Sequence, residues 1–534
     1  MSTYSINTSV LGLRYNAKQT QNGGTVFVKN AVVAYQLTDS AFNEITDIDY
    51  PSHHTYTLSS LTSVATTATG VTNTQNSLQT GQVVTIAGAS IATYNGDHTI
   101  LGVTAGTTFT YALSNATANP TGTITAVGGL STVPGVVYID TYIVVQDIEG
   151  GIWNSSAGDE TTWNELSVTY PEMEPSLAVY IGKSLNYVVA FKSWDTEFFT
   201  IDDTAVAPAS PLIRVESSYL KLGCATADSV VEFDGGIIFM SKRDNLQRSR
   251  EIHVLNGLTP KKISDASVER ILNGDDLATC YSLYLSTAGH QLYVLTLKTS
   301  AITLVYDFNN GLWYQWTMLT IGAAQTLSSL TQASGTATAV LTAHGFADGD
   351  PVLMAGSNQA GYNGIQNISY VDANTFTYPV DDATVSPSTG TATATGYTES
   401  YFPAVAYATY QNLDLVLHET NGIIYSLEPD TYQDNGVPIN VHLRLPNWDG
   451  GTQHNKVVNR GQVLGDVVDS DVLIRYSDDD YNNYSEYRRQ DMSGLTSKLT
   501  RLGMTQMRGY EMRHTENTAL RLEAWEQEQT VEIL

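Results

Sequence analysis

The chain has 534 residues, of which 54 are acidic and 26 are lysine or arginine, so its formal net charge is −28 at pH 7. A protein that grips nucleic acid by its phosphates needs cations on the binding face, and the excess of carboxylates argues against that class. Charged residues make up only 15% of the chain, whereas glycine, tyrosine, threonine and valine are abundant. This composition is typical of β structure.

No apolar run approaches the 18 or more residues of a membrane helix, and the first residues do not open a signal peptide. We therefore expect synthesis in the cytoplasm and no membrane insertion. Cys224 and Cys280 are the two cysteines of the sequence. Their number and spacing fit neither a disulfide framework nor a metal motif, so we predict two small buried apolar residues.

The first part of the chain, residues 1–54, carries short β-like runs between Asn and Gly turns. Thr25 to Val28 is one such run, and Ala31 to Tyr35 is another. β-Branched and aromatic residues favour strands here. We expect this part to supply N-terminal strands to the main fold.

A long segment of the sequence occurs twice at an almost constant offset. Both copies begin with Leu-Ser-Ser-Leu-Thr, at Leu58 and at Leu327. Further matches follow in the same order: Val83–Ser90 with Pro351–Ser357, Tyr94–Gly96 with Tyr362–Gly364, Thr108–Tyr111 with Thr375–Tyr378, and Thr121–Thr123 with Thr389–Thr391. We predict two homologous modules, at residues 55–129 and 322–397, each a small β-sandwich or barrel inserted into a larger fold.

Each copy contains a Tyr-Asn-Gly element, with Tyr94 in the first and Tyr362 in the second. Asn-Gly favours a turn, and the tyrosine ring can pack beneath that turn. An alternative is that the ring is exposed in a recognition loop and contacts a partner. Both interpretations stay open at this point.

Residues 130–321 and 398–445 contain many short strands with turns at near-regular spacing. Tryptophans recur near the strand ends, at Trp153, Trp163, Trp194, Trp313 and Trp316. Many short antiparallel strands with periodic aromatic and glycine residues favour a β-propeller over a sandwich. We predict a propeller core over these residues, followed by a C-terminal β-rich section at residues 446–534.

The stretch from Phe233 to Leu272 shows the local pattern in most detail. Ile237 to Met240 predicts a buried strand, and Glu251 to Leu255 predicts a second, half-exposed strand. Asn256-Gly257 indicates a tight turn. Beyond it, Ser264 or Asp265 is expected to cap a short helix.

No motif in the sequence demands catalysis. There is no Gly-x-Ser-x-Gly elbow, no His-Glu-x-x-His and no phosphate-binding loop. The acidic pairs Asp202-Asp203 and Asp275-Asp276 are adjacent, so on a strand their carboxylates point to opposite faces. Ser477 to Ser485 is similar to the Asp-box turn of sialidase-like propellers, a structural element. We expect no enzymatic activity, no cofactor and no metal site.

Four ordered segments resemble a phage family. The segments are Phe233–Leu272, His290–Trp313 with its Tyr-Asp-x-x-x-Gly-x-Trp pattern, Asn421–Gly436, and Val472–Arg513. Together they are similar to the packaged-DNA stabilisation, tail nozzle or tail hub proteins of short-tailed phages (podoviruses). The resemblance implies a virion protein with a propeller fold that assembles as a ring, expected to be a hexamer. In that family the ring extends the DNA channel below the adaptor and helps retain packaged DNA.

Basic residues are strongly segregated along the chain. Neither Lys nor Arg occurs from Ala31 through Ile181 or from Thr299 through His442. We hypothesise that acidic faces border a passage for double-stranded DNA without binding it, while basic clusters contact acidic neighbouring subunits. The cluster predicted as a subunit interface comprises Lys242, Arg243, Arg248, Arg250, Lys261 and Lys262. Ordinary solvated surface is the competing interpretation.

The inserted modules are expected to decorate the tube or to contact tail fibres and tip proteins. Two other functions stay open. One is a propeller-based adhesin that binds or cleaves carbohydrate, and the other is a secreted lectin-like module with no place in the virion.

Overall fold

The computed structural model describes residues 18–531, apart from residues 20–25, 30, 32–33, 39–40, 48, 53, 75, 77, 79, 105, 116–117, 217, 235, 243–248 and 495–496. The described part is all-β, with one α-helix and a few 3-10 turns. The chain divides into two compact units, Met1–Tyr284 and Leu285–Leu534. Each unit is considered on its own.

The first unit consists of antiparallel sheets. The first sheet has strands β1 to β4: Lys18–Gln19, Val26–Lys29, Ala34–Leu37 and Phe42–Glu44. A barrel follows with strands β5 to β10: His54–Val64, Thr67–Thr72, Val83–Ala87, Gly96–Thr104, Thr108–Ala112 and Thr125–Gly128. Two four-stranded sheets hold β11 to β18: Val137–Ile139, Tyr142–Gln146, Ile152–Asn154, Val168–Thr169, Ala178–Ser184, Tyr187–Lys192, Thr196–Ile201 and Leu212–Arg214.

A five-stranded sheet and one helix complete the first unit. The strands are β19 to β23: Gly223–Cys224, Val231–Phe233, Gly236–Lys242, Arg250–Asn256 and Thr259–Lys262. Helix α1 spans Ala266–Gly274, and β24 (Tyr281–Thr287) runs across the boundary of the units.

Successive sheets of the first unit share their apolar side chains. Ile143 and Val145 on β12 pack with Phe27 of the first sheet, whereas Val144, between them, packs with Val188 of the next sheet. Because neighbouring residues of a strand point to opposite faces, each central sheet is covered on both sides. Meanders of four strands stacked face to face in chain order are the blades of a propeller.

The predicted elements of the stretch 233–272 are confirmed. Ile237 to Met240 lie in β21 and are fully buried. Gly257 has a φ of 59°, the left-handed conformation that the turn between β22 and β23 requires. Asp265 caps α1 by accepting hydrogen bonds from the backbone N–H groups of Ser267 and Val268, each at 2.9 Å.

The second unit continues with blade-like strands around a second small module. Strands β25 to β27 are His290–Leu297, Ile302–Asp307 and Leu312–Ile321. Strands β28 to β35 form the module: Gln325–Thr326, Ser329–Ala333, Thr336–Val340, Pro351–Ser357, Gly364–Asn367, Ser369–Asp372, Thr375–Pro379 and Gly390–Tyr401. Then come β36 to β40: Ala404–Tyr410, Leu413–His418, Ile424–Leu427, Gln433–Asp434 and Val437–Pro438.

The C-terminal section packs two sheets on one apolar core. Its strands are β41 to β48: Val441–Arg444, Lys456–Gly465, Asp471–Ser477, Arg488–Asp491, Leu499–Thr500, Met504–Thr505, Gly509–His514 and Leu522–Val531. One sheet has the order β41-β47-β43-β44, and the other is built on β42, which pairs with β45, β46 and β48. Val463, Ile474 and Met512 lie in the shared core.

The two copies of the sequence repeat have matching three-dimensional details. The first copy is a closed barrel of six strands, and the second contains a four-stranded sheet beside strands paired with β35. In both, the side chain of the Asn within the Tyr-Asn-Gly element bonds both the N–H and the C=O of a residue before the turn: Asn95 bonds Ala89, and Asn363 bonds Ser357. We call the copies repeat one (residues 55–129) and repeat two (residues 322–397).

An aspartate corner recurs in two of the blades. Asp147, at the end of β12, accepts hydrogen bonds from the Gly151 N–H (2.9 Å) and the Trp153 indole N–H (2.7 Å). Asp307, at the end of β26, begins the same Asp-x-x-x-Gly-x-Trp spacing, and its carboxylate accepts from the Asn309 N–H at 2.9 Å. Burial raises the pKa of Asp147, and these hydrogen bonds only partly oppose the shift.

We predict that Asp147→Ala lowers the free energy of unfolding by about 2–3 kcal/mol, because two buried donors lose a charged acceptor. Chemical denaturation of the variant and the wild type checks this value. Asp159→Ala is the matched control, since Asp159 closes a similar turn by accepting from the Thr161 N–H but is exposed. Equal losses of stability in the two variants would contradict a stabilising role for the buried Asp147 carboxylate.

Candidate functional site

The predicted basic cluster lies on the sheet of β19–β23, and its members have different surroundings. Arg243 and Arg248 lie outside the described residues. Lys242 is half-buried at the end of β21, and Lys261 is exposed on β23. The other two members, Arg250 and Lys262, are engaged within the sheet and its helix.

Arg250 closes the end of helix α1. Its guanidinium donates to the carbonyl oxygens of Leu272 (2.6 Å) and Asp275 (2.7 Å). A cation at a helix C-terminus satisfies free carbonyl groups and complements the helix dipole. The charge of Arg250 is therefore used within the fold.

Lys262 forms ion pairs inside the same segment. Its ammonium group lies 2.5 Å from Glu269 and 3.1 Å from Glu251. The hydrogen bonds to Glu269 and Glu251 raise the pKa of Lys262. Lys261, the neighbouring residue on β23, is also exposed.

The tyrosines of the two repeats are structural. Tyr94 and Tyr362 are both fully buried, each at the end of a short 3-10 turn. Tyr111 donates to the Tyr94 carbonyl at 3.2 Å, and Tyr378 donates to the Tyr362 carbonyl at 3.1 Å. Neither ring offers an aromatic face to a partner, so the recognition role left open by the sequence is not supported. The packing interpretation describes both side chains, because the apolar ring gains more by filling the module core.

A charged cluster in the C-terminal section was not anticipated from the sequence. Its centre is Glu511 on β47, which is fully buried. Arg475 Nε and the Tyr487 hydroxyl each donate to its carboxylate at 2.7 Å. His442 Nε2 lies 3.2 Å and Arg444 3.4 Å from the second oxygen. We call these five residues the Glu511 cluster.

Aromatic rings complete the surroundings of this cluster. The Arg475 guanidinium stacks 3.8 Å from the centre of the Tyr484 ring and 4.5 Å from that of Tyr487. Burial alone would raise the pKa of Glu511. Hydrogen bonds from His442 and Tyr487, together with the Arg475 charge, outweigh burial and hold this pKa well below its usual range.

The turn at Ser477–Ser485 is held by its own side chains. The Ser477 hydroxyl donates to Asp479 at 2.8 Å, and Asp479 accepts from the Asn483 N–H at 2.8 Å. Asp478 forms a two-point ion pair with Arg508, at 2.6 and 2.7 Å. The Asp-box-like segment is thus a structural turn. Among the described residues, no group of three or more His, Cys, Asp or Glu side chains is arranged to hold a metal ion.

A cavity of about 310 Å³ lies beside β38 in the second unit. Its lining includes Phe402, Tyr425, Glu428 and Asp434. Burial raises the pKa of Asp434 to about 6. Carboxyl groups and aromatic rings thus line the same concave surface.

Elsewhere, several of the few cations are buried. Lys29, Lys192, Lys456 and Arg508 are each at most 5% exposed. Lys192, for example, pairs with Asp195 and Glu197, both at 2.8 Å. The two cysteines, Cys224 and Cys280, are both buried, as predicted.

An all-β chain whose meander sheets stack face to face is a β-propeller protein. Residues 59–333 match the model of the family described as bacteriophage P22 Gp10, beta-propeller, and the chain belongs to this family of phage structural proteins. The family recognised in the sequence and the predicted fold class are therefore confirmed. Within the described residues, α1, with nine residues, is too short to cross a bilayer.

A comparison with curated protein sequences finds no match. Among solved structures, the computationally designed Ika8 protein is 10% identical, with 77% of this chain and 94% of that chain covered and a TM-score of 0.24. An exo-β-1,3-galactanase from Phanerochaete chrysosporium is 8% identical, with 73% and 93% covered and a TM-score of 0.22. The endosialidase of phage phi92 is 10% identical, with 80% and 65% covered and a TM-score of 0.18.

We predict that Glu511→Gln lowers the free energy of unfolding by about 2–3 kcal/mol at neutral pH, because the surrounding cations lose their buried counter-ion. A glutamate in an unfolded chain titrates at roughly pH 4.3. Since the folded pKa of Glu511 is lower, its contribution is complete above that pH and declines on further acidification. The stability difference between wild type and variant should therefore shrink below about pH 4.

Denaturant titrations at several pH values measure this difference. Glu528→Gln is the control, because Glu528 pairs with Arg460 while both side chains are 53% exposed, and the expected loss there is under about 1 kcal/mol. A stability difference for Glu511→Gln that does not change with pH would contradict the assignment of an ionised, paired Glu511.

Proposed function

We propose that this chain is a wall subunit of a ring in the tail of a short-tailed phage, acting as the nozzle or hub. The ring extends the DNA channel below the adaptor and helps retain packaged DNA until ejection. Membership of a phage structural family supports a role in the particle. The observation that supports this role as a DNA conduit is the shortage of available positive charge.

The chain has few cations, and the fold uses many of them internally. Lys29 and Lys456 are buried, Arg250 closes a helix, and Arg475 binds Glu511. These cations are therefore not available to bind phosphate at the surface of a chain whose formal charge is already −28. Double-stranded DNA binds proteins mainly through cations that neutralise its phosphates. An acidic wall repels the duplex and lets it pass without sticking.

The proposal includes the assembly and domain organisation expected from the sequence. The ring is a homo-oligomer, expected to be a hexamer, that contacts the adaptor on one side and fibres or tip proteins on the other. Residues 1–54, 130–321 and 398–445 form the propeller, repeats one and two are inserted modules, and residues 446–534 form the C-terminal section. In this view the protein works by shape and charge rather than by catalysis.

A second candidate is a propeller-based adhesin that binds or cleaves glycans. The cavity lined by Tyr425, Glu428 and Asp434 is the specific feature to which this activity is assignable, since glycosidases use pairs of carboxyl groups and bind sugars against aromatic rings. A glycan screen with a turnover assay separates the two functions. Saturable binding with hydrolysis that Asp434→Asn abolishes would displace the conduit.

The proposed ring should be visible in the phage particle itself. An image of the phage tail with this subunit traced should place a symmetric ring of copies around the DNA axis, with an acidic inner surface. The purified protein should not retain double-stranded DNA even at low salt. Absence of the chain from mature tails would contradict the proposal. So would DNA binding that weakens steeply with added salt.

Lys261 of the basic cluster allows a test of the proposed subunit interface. If Lys261 contacts an acidic neighbouring subunit, Lys261→Glu should weaken self-association by roughly tenfold or more, because a reversed charge at an interface is repelled. Mass photometry over a concentration series measures the shift. Lys221→Glu is the matched control, since Lys221 is also exposed and precedes β19 of the same sheet. Equal weakening in both variants would point to net charge and remove Lys261 from the interface.

A further inference from the structure

The turn before β31 in repeat two is occupied by the C-terminal section. Asp348, Gly349 and Asp350 form this turn. The Tyr487 N–H donates to Asp348 at 3.0 Å, and the Arg513 guanidinium donates to the Gly349 carbonyl at 3.0 Å. Arg513 also pairs with Asp350 at 3.3 Å.

The neighbouring strand of repeat two extends this contact. Asn367, the last residue of β32, accepts a hydrogen bond from the Thr515 hydroxyl at 2.6 Å, and its carbonyl accepts one from Arg489. Asn367 is opposite Pro351 in the β31–β32 ladder. The acidic turn and Asn367 therefore form one continuous surface beneath β44 and β47 of the C-terminal section.

Repeat one carries the same backbone but a different surface. In its β7–β8 ladder, Val83 pairs with Thr99, the counterparts of Pro351 and Asn367. The corresponding turn reads Thr80-Gly81-Gln82, so both acids are missing. Thr80, Gly81 and Thr99 are exposed.

The side chain of Gln82 points toward the interior of repeat one. Its side-chain amide donates to the Gly129 carbonyl at the base of repeat one. Its counterpart Asp350 faces the C-terminal section and pairs with Arg513. At this position, therefore, the side chain bonds within the module in repeat one, whereas in repeat two it binds the C-terminal section.

We infer that the acidic turn Asp348–Asp350 is a docking site for the C-terminal section, and that its acid pair directs this section to repeat two rather than repeat one. Guanidinium groups recognise carboxylates with charge and direction. The same backbone turn without the two carboxylates offers Arg513 and the Tyr487 N–H no charged acceptor. Repeat two thus braces the C-terminal section, and the homologous face of repeat one stays open for other contacts.

The two glycines of these turns provide a matched experiment. Gly349 and Gly81 have φ values of 78° and 88°, so an alanine is strained by the backbone in both. A Cβ on Gly349 would lie 2.5 Å from the Tyr487 ring, whereas a Cβ on Gly81 would meet nothing within 4 Å. The difference between Gly349→Ala and Gly81→Ala therefore isolates the docking contact.

Hydrogen–deuterium exchange of the full-length variants is the readout. We expect Gly349→Ala to speed amide exchange in β44 and β47 by roughly tenfold, while Gly81→Ala leaves those strands within about twofold of wild type. Equal exchange of these strands in the two variants would overturn the inference. So would acceleration confined to repeat two, because the C-terminal section would then not depend on the contact.

A charge exchange keeps the inference testable if Gly349→Ala fails to fold. Asp350→Arg and Arg513→Asp alone should each speed exchange in β47, and the double variant should restore much of the protection, because the pair is re-formed with reversed polarity. Additive effects with no restoration would show that Asp350 and Arg513 do not recognise each other.

Discussion

The stacked sheets depend on one constraint, which is that a strand with apolar residues on both faces must be covered on both sides. Strand β12 illustrates it: Ile143 and Val145 contact the sheet before it in the chain, and Val144 contacts the sheet after it. A meander of four strands cannot satisfy this requirement alone. It does so by lying between its chain neighbours, and the connections then run along the edges, where long insertions cost little. The same constraint thus explains both the stacking and the tolerance for a module within a connection.

The surface charge of the protein depends on where the fold places its few cations. A buried ammonium or guanidinium group requires compensating acceptors, and the fold supplies them: carboxylates for Lys192, backbone carbonyls for Lys456, and Asp478 for Arg508. Each cation satisfied internally is one fewer available to a phosphate. Folding therefore leaves fewer cations at the surface than the composition alone implies. Under the proposed conduit role, fewer free cations mean fewer phosphate contacts with the passing duplex.

The sequence predicts local structure here better than it predicts which residues meet. The cap at Asp265, the turn at Gly257 and the buried strand at Ile237–Met240 follow from short-range rules of capping, positive φ and hydrophobic pattern. The Glu511 cluster does not, because His442 and Arg475 are far from Glu511 in the chain and converge only when β41, β43 and β47 pair. Arg250 shows the same limit: a cluster of basic residues in sequence suggests a free basic surface, but pairing with α1 changes its role. A pattern of alternating charged residues on adjacent C-terminal strands is the signal that would have pointed to Glu511.

The two repeats show how one backbone serves two roles. Their cores are nearly interchangeable: Phe109 and Phe376 are both fully buried, as are Tyr94 and Tyr362. Core positions are constrained by packing and so remain alike, whereas the turn before β7 or β31 is constrained only by its backbone shape. There the side chains are free to differ, and in repeat two a pair of carboxylates acts together with Asn367 to hold the C-terminal section. The homologous exposed turn of repeat one keeps the shape without the charge. A module can therefore be duplicated for its stability and then assigned different contacts by a few surface residues, with no change to the core that folds it.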